Sequence, residues 1–162
     1  MSWVRAIILV TPRREATNVS ETTVQELFRR AARDSDPEAM REGVERLFAH
    51  GGPETLSPEA EFRLRHEDYV MEMPQSGERI RGRDAMRSMQ EAFPTPPAIT
   101  LRRVVGSGQV WVIEGVNNYD GDLWHVVAIF ELDHDGRIVR DTRYYSQSMD
   151  APEWRAAWVE RI

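Results

Sequence analysis

The chain reads as an α+β protein, a curved antiparallel sheet packed on N-terminal helices, and three observations lead there. Four segments with strand character follow one another at 99–106, 109–119, 123–132 and 137–147. The dipeptides Ser107-Gly108, Asp120-Gly121 and Asp135-Gly136 separate them, as tight hairpin turns require. Ahead of this meander, the apolar residues recur at helical rather than strand spacing. A long meander behind a helical front half wraps around those helices and encloses a pocket.

The elements follow in order. Residues 1–20 form an N-terminal extension to a single domain at 21–162. The extension reads as a disordered tail, an added edge strand, or a start codon placed upstream. Val24, Leu27, Phe28 and Ala31 lie on one helical face behind Ser20-Glu21-Thr22-Thr23, a capping region. Ser35 or Asp36 caps a second helix with Pro37 at its first position; Met40, Val44, Leu47 and Phe48 line its apolar face, and Gly51-Gly52-Pro53 ends it. A short helix runs from Pro58, capped by Ser57, to about Arg65. Tyr69-Val70-Met71-Glu72-Met73 is a strand stopped by Pro74, and 75–81 is a polar surface loop with a turn at Ser76-Gly77. Gly82 opens a helix at 83–93 with the stripe Ala85, Met86, Met89 and Phe93, closed by Pro94-Thr95-Pro96-Pro97.

Composition narrows the function. A length of 162 residues, 41% of them apolar, suits one domain with one core. With 27 acidic against 21 basic side chains the net charge is -6, so nucleic acid and anionic membranes are repelled and neither is expected as a partner. The chain has no cysteine, which removes disulfides, thiolate metal sites and cysteine nucleophiles. The apolar run at 3–10, interrupted by Arg5, is too short to span a bilayer and lacks a cleavage pattern, so a cytoplasmic protein is expected. No dinucleotide fingerprint, phosphate loop or Gly-x-Ser-x-Gly is present, and no cofactor is expected.

Val70-Met71-Glu72-Met73-Pro74, Gly82-Arg83-Asp84-Ala85, Ile129-Phe130-Glu131-Leu132-Asp133 and Asp135-Gly136-Arg137-Ile138, running on to Tyr144-Tyr145, occur in an order and spacing that resembles the SnoaL-like branch of the nuclear transport factor 2-like superfamily. The resemblance covers roughly 36–158. It implies a cone whose open end admits a small, mostly apolar or aromatic molecule, and commonly a homodimer formed through the outer sheet face. Because the fold hosts isomerases, cyclases, dehydratases, hydrolases and binders, activity must be argued from the site. Where the ketosteroid isomerases carry their base and their oxyanion-hole acid, this chain has Met73 and Ala128. The limonene epoxide hydrolase triad falls at Gly115, Asn117 and Arg143, and the base of the SnoaL-type cyclases falls near Ser146.

Side chains alternate along a strand, so register decides which of them see the cavity. If Ala128 faces inward, as the resemblance implies, so do Trp124, Val126 and Phe130, together with Trp111, Ile113, Gly115, Asn117 and Tyr119, and with Asp141, Arg143 and Tyr145. A one-residue bulge would flip any of these sets. Asp141 and Arg143, two apart on one face and about 7 Å between Cα atoms, can form a charge-assisted pair. An ionised, desolvated aspartate can activate water or take a proton while a tyrosine hydroxyl steadies an oxyanion, which makes Asp141, Arg143 and Tyr145 the candidate catalytic group. The same pair also reads as an ordinary salt bridge on a solvated rim. Tyr69, Met71 and Met73 are expected along the wall.

Glu72 and Glu114 point to the opposite face and suit surface or inter-subunit pairing. None of His50, His66, His125 and His134 has the spaced partner of a metal-binding helix, and no metal site is expected. His125 alternates with Trp124 and falls on the outer face beside Val127 and Ile129, an apolar stripe suited to a dimer; turned inward, it would be an acid–base candidate. Trp154 and Trp158 share one face of a C-terminal helix that packs on the sheet or a partner, or else covers the cone mouth. Two functions are therefore expected: a small-molecule-binding domain with an apolar cone pocket, or a cofactor-independent isomerase, polyketide-cyclase-like or epoxide-hydrolase-like enzyme using the Asp/Arg/Tyr cluster.

Overall fold

The computed structural model describes residues 22–50, 55–93 and 95–162; the N-terminal extension, the Gly51-Gly52-Pro53 break and Pro94 lie outside the described residues. Helices α1 (Val24–Asp34), α2 (Pro37–Leu47) and α3 (Pro58–Leu64) precede β1 (Arg65–Met73) and β2 (Glu78–Arg81). Helix α4 (Arg83–Ala92) then leads into β3 (Ala98–Ser107), β4 (Val110–Tyr119), β5 (Asp122–Leu132) and β6 (Ile138–Gln147). The six strands form one open sheet in the order β2-β1-β6-β5-β4-β3. The meander β3 to β6 is antiparallel, as its three turns require, while β1 lies parallel to β6.

Local chemistry explains where the helices begin. Thr23 accepts from the Glu26 amide at 3.2 Å while its own amide donates to Glu26 Oε2 at 2.7 Å, a reciprocal cap. Asp36 Oδ1 accepts from the Glu38 and Ala39 amides, both at 3.0 Å, and Pro37 takes the position where no donor is needed. Caps of this kind contribute about 1 kcal/mol each. The faces behind them are buried: Val24, Leu27, Phe28 and Ala31 on α1, and Ala39, Met40, Val44 and Leu47 on α2. They pack on the concave side of the sheet, where Phe130 meets Phe28 and Phe48 edge-on at 6.4 and 6.3 Å. Gly136, in the β5–β6 turn, has φ +78° and sits so close to α1 that a Cβ there would lie 2.4 Å from the Arg29 nitrogen. The Gln25 amide donates to the Asp135 carbonyl beside it at 3.1 Å.

Three sequence expectations are corrected. The segment 75–81 is not wholly loop: after a turn at Ser76-Gly77, Glu78–Arg81 pairs with β1 as an edge strand. Only Ile80 of this edge strand packs on the core while its neighbours are exposed, too short an alternation to mark a strand, which is why its residues read as loop. Strand β1 begins at Arg65 rather than Tyr69, because its polar first half bridges to Ile138 of β6. The C-terminal helix is a 3₁₀ segment, Glu153–Trp158, with no buried residue. Trp154 and Trp158 are 76% and 79% exposed, so within one copy they pack on nothing. Among the described residues no helix is long and apolar enough to cross a membrane.

Candidate functional site

Strand register builds the site. The β4–β5 ladder is unbroken from Val110↔Glu131 to Tyr119↔Asp122, and β5–β6 from Trp124↔Gln147 to Glu131↔Arg140. Register shifts fall outside these stretches, between Leu101 and Arg103 of β3, at the far end of β5–β6, and between Arg65 and Val70 where β1 meets β6, so the alternation expected from the sequence survives along β4, β5 and β6 at the site. On the concave side Trp111, Phe130 and Asp141 form one cross-strand row, and Ile113, Ala128 and Arg143 the next. Met71 is the β1 partner of Asp141 and extends the first row. Ala128 opposite Arg143 leaves room on the concave face, and Arg143 Cζ stands 5.8 Å from the Phe48 ring centre.

A cavity of about 450 Å³ opens between this face and α2, α3 and α4. Its apolar wall comes from Leu47 and Phe48 of the α2 end, Met71, Met73, Met86, Phe130 and Ile138. Met89, Phe93, Pro96 and Pro97 line it as well, and Phe93 meets Tyr119 edge-on at 6.3 Å. At one pole stand Asp141, Arg143, Tyr145, Asn117 and Tyr119. Asp141 is 1% exposed. Arg143 donates to it from Nε at 2.9 and 3.0 Å and from Nη2 at 2.6 Å. The Tyr69 hydroxyl donates to the same carboxylate at 3.2 Å. Arg143 Nη1 stands 3.5 Å from the Tyr145 hydroxyl, and Asn117 Nδ2 lies 3.5 Å from that of Tyr119.

Electrostatics follow from the burial. Desolvation would lower the Arg143 pKa, but Asp141 and then Tyr145 outweigh it and hold the guanidinium charged well above its ordinary range. Burial, followed by repulsion from Asp141, pushes the Tyr69 hydroxyl well above the usual phenol value, so it stays a protonated donor. A second pair closes the wall: Arg65, 4% exposed, donates to Glu61 at 2.7 Å and lies 5.4 Å from the Tyr69 ring centre.

The expected site residues therefore divide. Met71, Met73, Asn117, Tyr119, Phe130, Asp141, Arg143 and Tyr145 line the cavity, and Ile113 and Ala128 line a small recess behind Arg143. Tyr69 and Trp111 lie deeper: Tyr69 supports Asp141 from the core, and Trp111, fully buried, donates from its indole to the Gly108 carbonyl at 2.8 Å. Trp124 stands beyond the wall with its indole on Asp122 at 2.9 Å. Asp141 is too buried for a rim salt bridge. That Leu47, Phe48, Glu61 and Gln90 face the cavity was not readable in the sequence, because a helical stripe facing a sheet has one pattern whether it closes a core or leaves a cavity, and the places of Arg65 and Pro96 on it depend on the tertiary fold.

The outer face carries Glu72, paired with Arg79 at 2.6 Å and Arg140 at 3.0 Å, and Glu114, paired with Arg103 at 2.9 Å. Partial burial would raise the Glu72 pKa, but the two arginines outweigh it and hold the carboxyl below its usual range. His125 also lies on this face, 3.4 Å from the Ser148 hydroxyl, so it is no acid–base group for the cavity. Ser146 is opposite it across β5–β6.

The model of the SnoaL-like domain family matches residues 54–141. The crystal structure of an NTF-2 like protein of unknown function from Burkholderia xenovorans is 31% identical, with a TM-score of 0.58, covering 86% of this chain and 98% of that one. A putative ketosteroid isomerase from Kribbella flavida is 26% identical, with a TM-score of 0.60, covering 65% and 77%. No curated protein matches the chain.

Proposed function

The chain belongs to the SnoaL-like domain family, and from that premise we propose that it binds a small, mostly apolar or aromatic molecule inside the cone. The carrying observation is the cavity itself: about 450 Å³, walled by methionine, phenylalanine, leucine and proline side chains, with the Asp141, Arg143, Tyr145, Asn117 and Tyr119 cluster at one pole and the Glu61–Arg65 pair in the wall. That volume falls within the range of small-molecule sites, and the methionines let the wall adapt to the ligand's outline. Binding without turnover is better supported than acid–base catalysis. Both Asp141 oxygens are held by Arg143, and Tyr69 takes a further lone pair, so the carboxylate is already engaged and presents almost no surface to a substrate. Arg143 and Tyr145 remain able to meet a ligand oxygen. The exposed stripe of Leu123, Val127 and Tyr144 on the outer face is proposed to meet a second copy of the chain.

An environment-sensitive naphthalene dye titrated into the protein tests the reading. The dye is expected to saturate and to raise the melting temperature of the wild type. Met73→Trp, which fills the cavity from its wall, is expected to abolish both effects while leaving the far-ultraviolet circular dichroism intact. Equal binding by the two proteins would place the dye elsewhere and sink the proposal.

A further inference from the structure

Resting on the reading that the cone binds a small apolar molecule, we propose that the ligand carries an uncharged carbonyl oxygen at its polar end, and that Asp141 is the residue that turns carboxylates away.

Arg143 brings five N–H donors in a fixed planar fork. Nε and Nη2 are committed to Asp141 at 2.6 to 3.0 Å, whereas Nη1 has only a 3.5 Å approach to the Tyr145 hydroxyl. The Nη1 edge, the Tyr145 hydroxyl and the Asn117 amide thus give the cavity a pole rich in donors. An oxygen acceptor placed there would receive a charge-assisted hydrogen bond in a place largely shielded from water. A purely hydrocarbon ligand would cover the same donors and satisfy none of them.

Net charge decides which acceptor fits. The ionised wall residues cancel pairwise, Asp141 with Arg143 at 2.6 Å and Glu61 with Arg65 at 2.7 Å. Asp141 is 1% exposed and the Arg143 side chain 18%, so solvent screens their field little. A ligand carboxylate would share one guanidinium with the Asp141 carboxylate. Repulsion from Asp141 offsets much of its attraction to Arg143, and the cost of stripping its water remains. A ketone, ester or amide oxygen gives up far less hydration and still uses the donors. Asp141 therefore makes Arg143 a hydrogen-bond donor rather than a site for anions, and Tyr69 holds Asp141 in place from beneath at 3.2 Å.

Three probes of one outline, acetonaphthone, naphthoate and isopropylnaphthalene substituted at the same ring position, are titrated calorimetrically into the wild-type protein. The ketone is expected to bind tightest, and the carboxylate at least about tenfold more weakly than the ketone. Asp141→Asn keeps the shape of the side chain and removes its charge, so on that variant naphthoate is expected to gain about tenfold or more relative to the ketone. Naphthoate binding tightest to the wild type, or the ketone no better than the hydrocarbon, overturns this inference and leaves the cavity reading standing. Failure of all three probes to bind overturns both. The wild-type ranking needs no variant, so the test holds even if Asp141→Asn does not fold.

Discussion

Replacing Asp141 by alanine is expected to cost the fold about 4 kcal/mol. The figure comes from what the substitution strands. Arg143 would keep its charge with only 18% of its side chain exposed and with none of the three contacts it now makes to the carboxylate. Removing one partner of a buried pair typically costs about 3–5 kcal/mol, because the other charge is left uncompensated. The Tyr69 hydroxyl also loses its acceptor, and an unsatisfied buried donor costs about 1–3 kcal/mol. These costs overlap, since both arise where the same carboxylate stood, and 4 kcal/mol is a large part of the roughly 5–15 kcal/mol that holds a domain folded. Urea denaturation followed by circular dichroism measures it, for Asp141→Ala, Arg143→Met and a triple replacement of Asp141→Leu, Arg143→Met and Tyr69→Phe. Because the triple variant leaves no charge or hydroxyl stranded, it is expected to lie closer to the wild type than Asp141→Ala does. An exposed pair would contribute less than about 1 kcal/mol. If Asp141→Ala costs no more than that, solvent reaches the pair, and the desolvation argument for this pole of the cavity is wrong.

Gly136→Ala is expected to destabilise by at least about 2 kcal/mol, through a strained positive φ and a Cβ pressed against the α1 backbone. Gly77→Ala, also at positive φ but with open space around it, should cost about 1 kcal/mol; equal losses in urea unfolding would contradict the docking of the β5–β6 turn on α1. The outer face is checked by sedimentation: the wild type is expected to run as a dimer at micromolar concentration and Val127→Arg, which places a charge opposite Tyr144, as a monomer. A monomeric wild type would remove the outer stripe as an interface.

The helices and the meander were legible in the chain because their signals are local. Thr23 and Asp36 announce helix starts through donors that lie two or three residues away, and the turns at Gly108, Gly121 and Gly136 sit where positive φ is required. Period-two alternation then placed Trp111, Ile113 and Asn117 on one side of β4, and Ala128 and Phe130 on the same side of β5, since no bulge intervenes. The pairing of Asp141 with Arg143 was readable for the same reason: two opposite charges two apart on one strand face lie within reach of a charge-assisted bond. Contacts across the chain were not readable. Tyr69 and Asp141 are 72 positions apart, and their hydrogen bond exists only because β1 adds parallel to β6. Edge strand β2 offers only Ile80 to the core, too little to form a period, so its pairing is visible only once β1 is in place. The burial that distinguishes a buried ion pair from a rim one, and an open cavity from a filled core, depends on how far α2, α3 and α4 stand from the sheet. That distance is set by packing between remote side chains, a quantity with no local period to leave in a sequence.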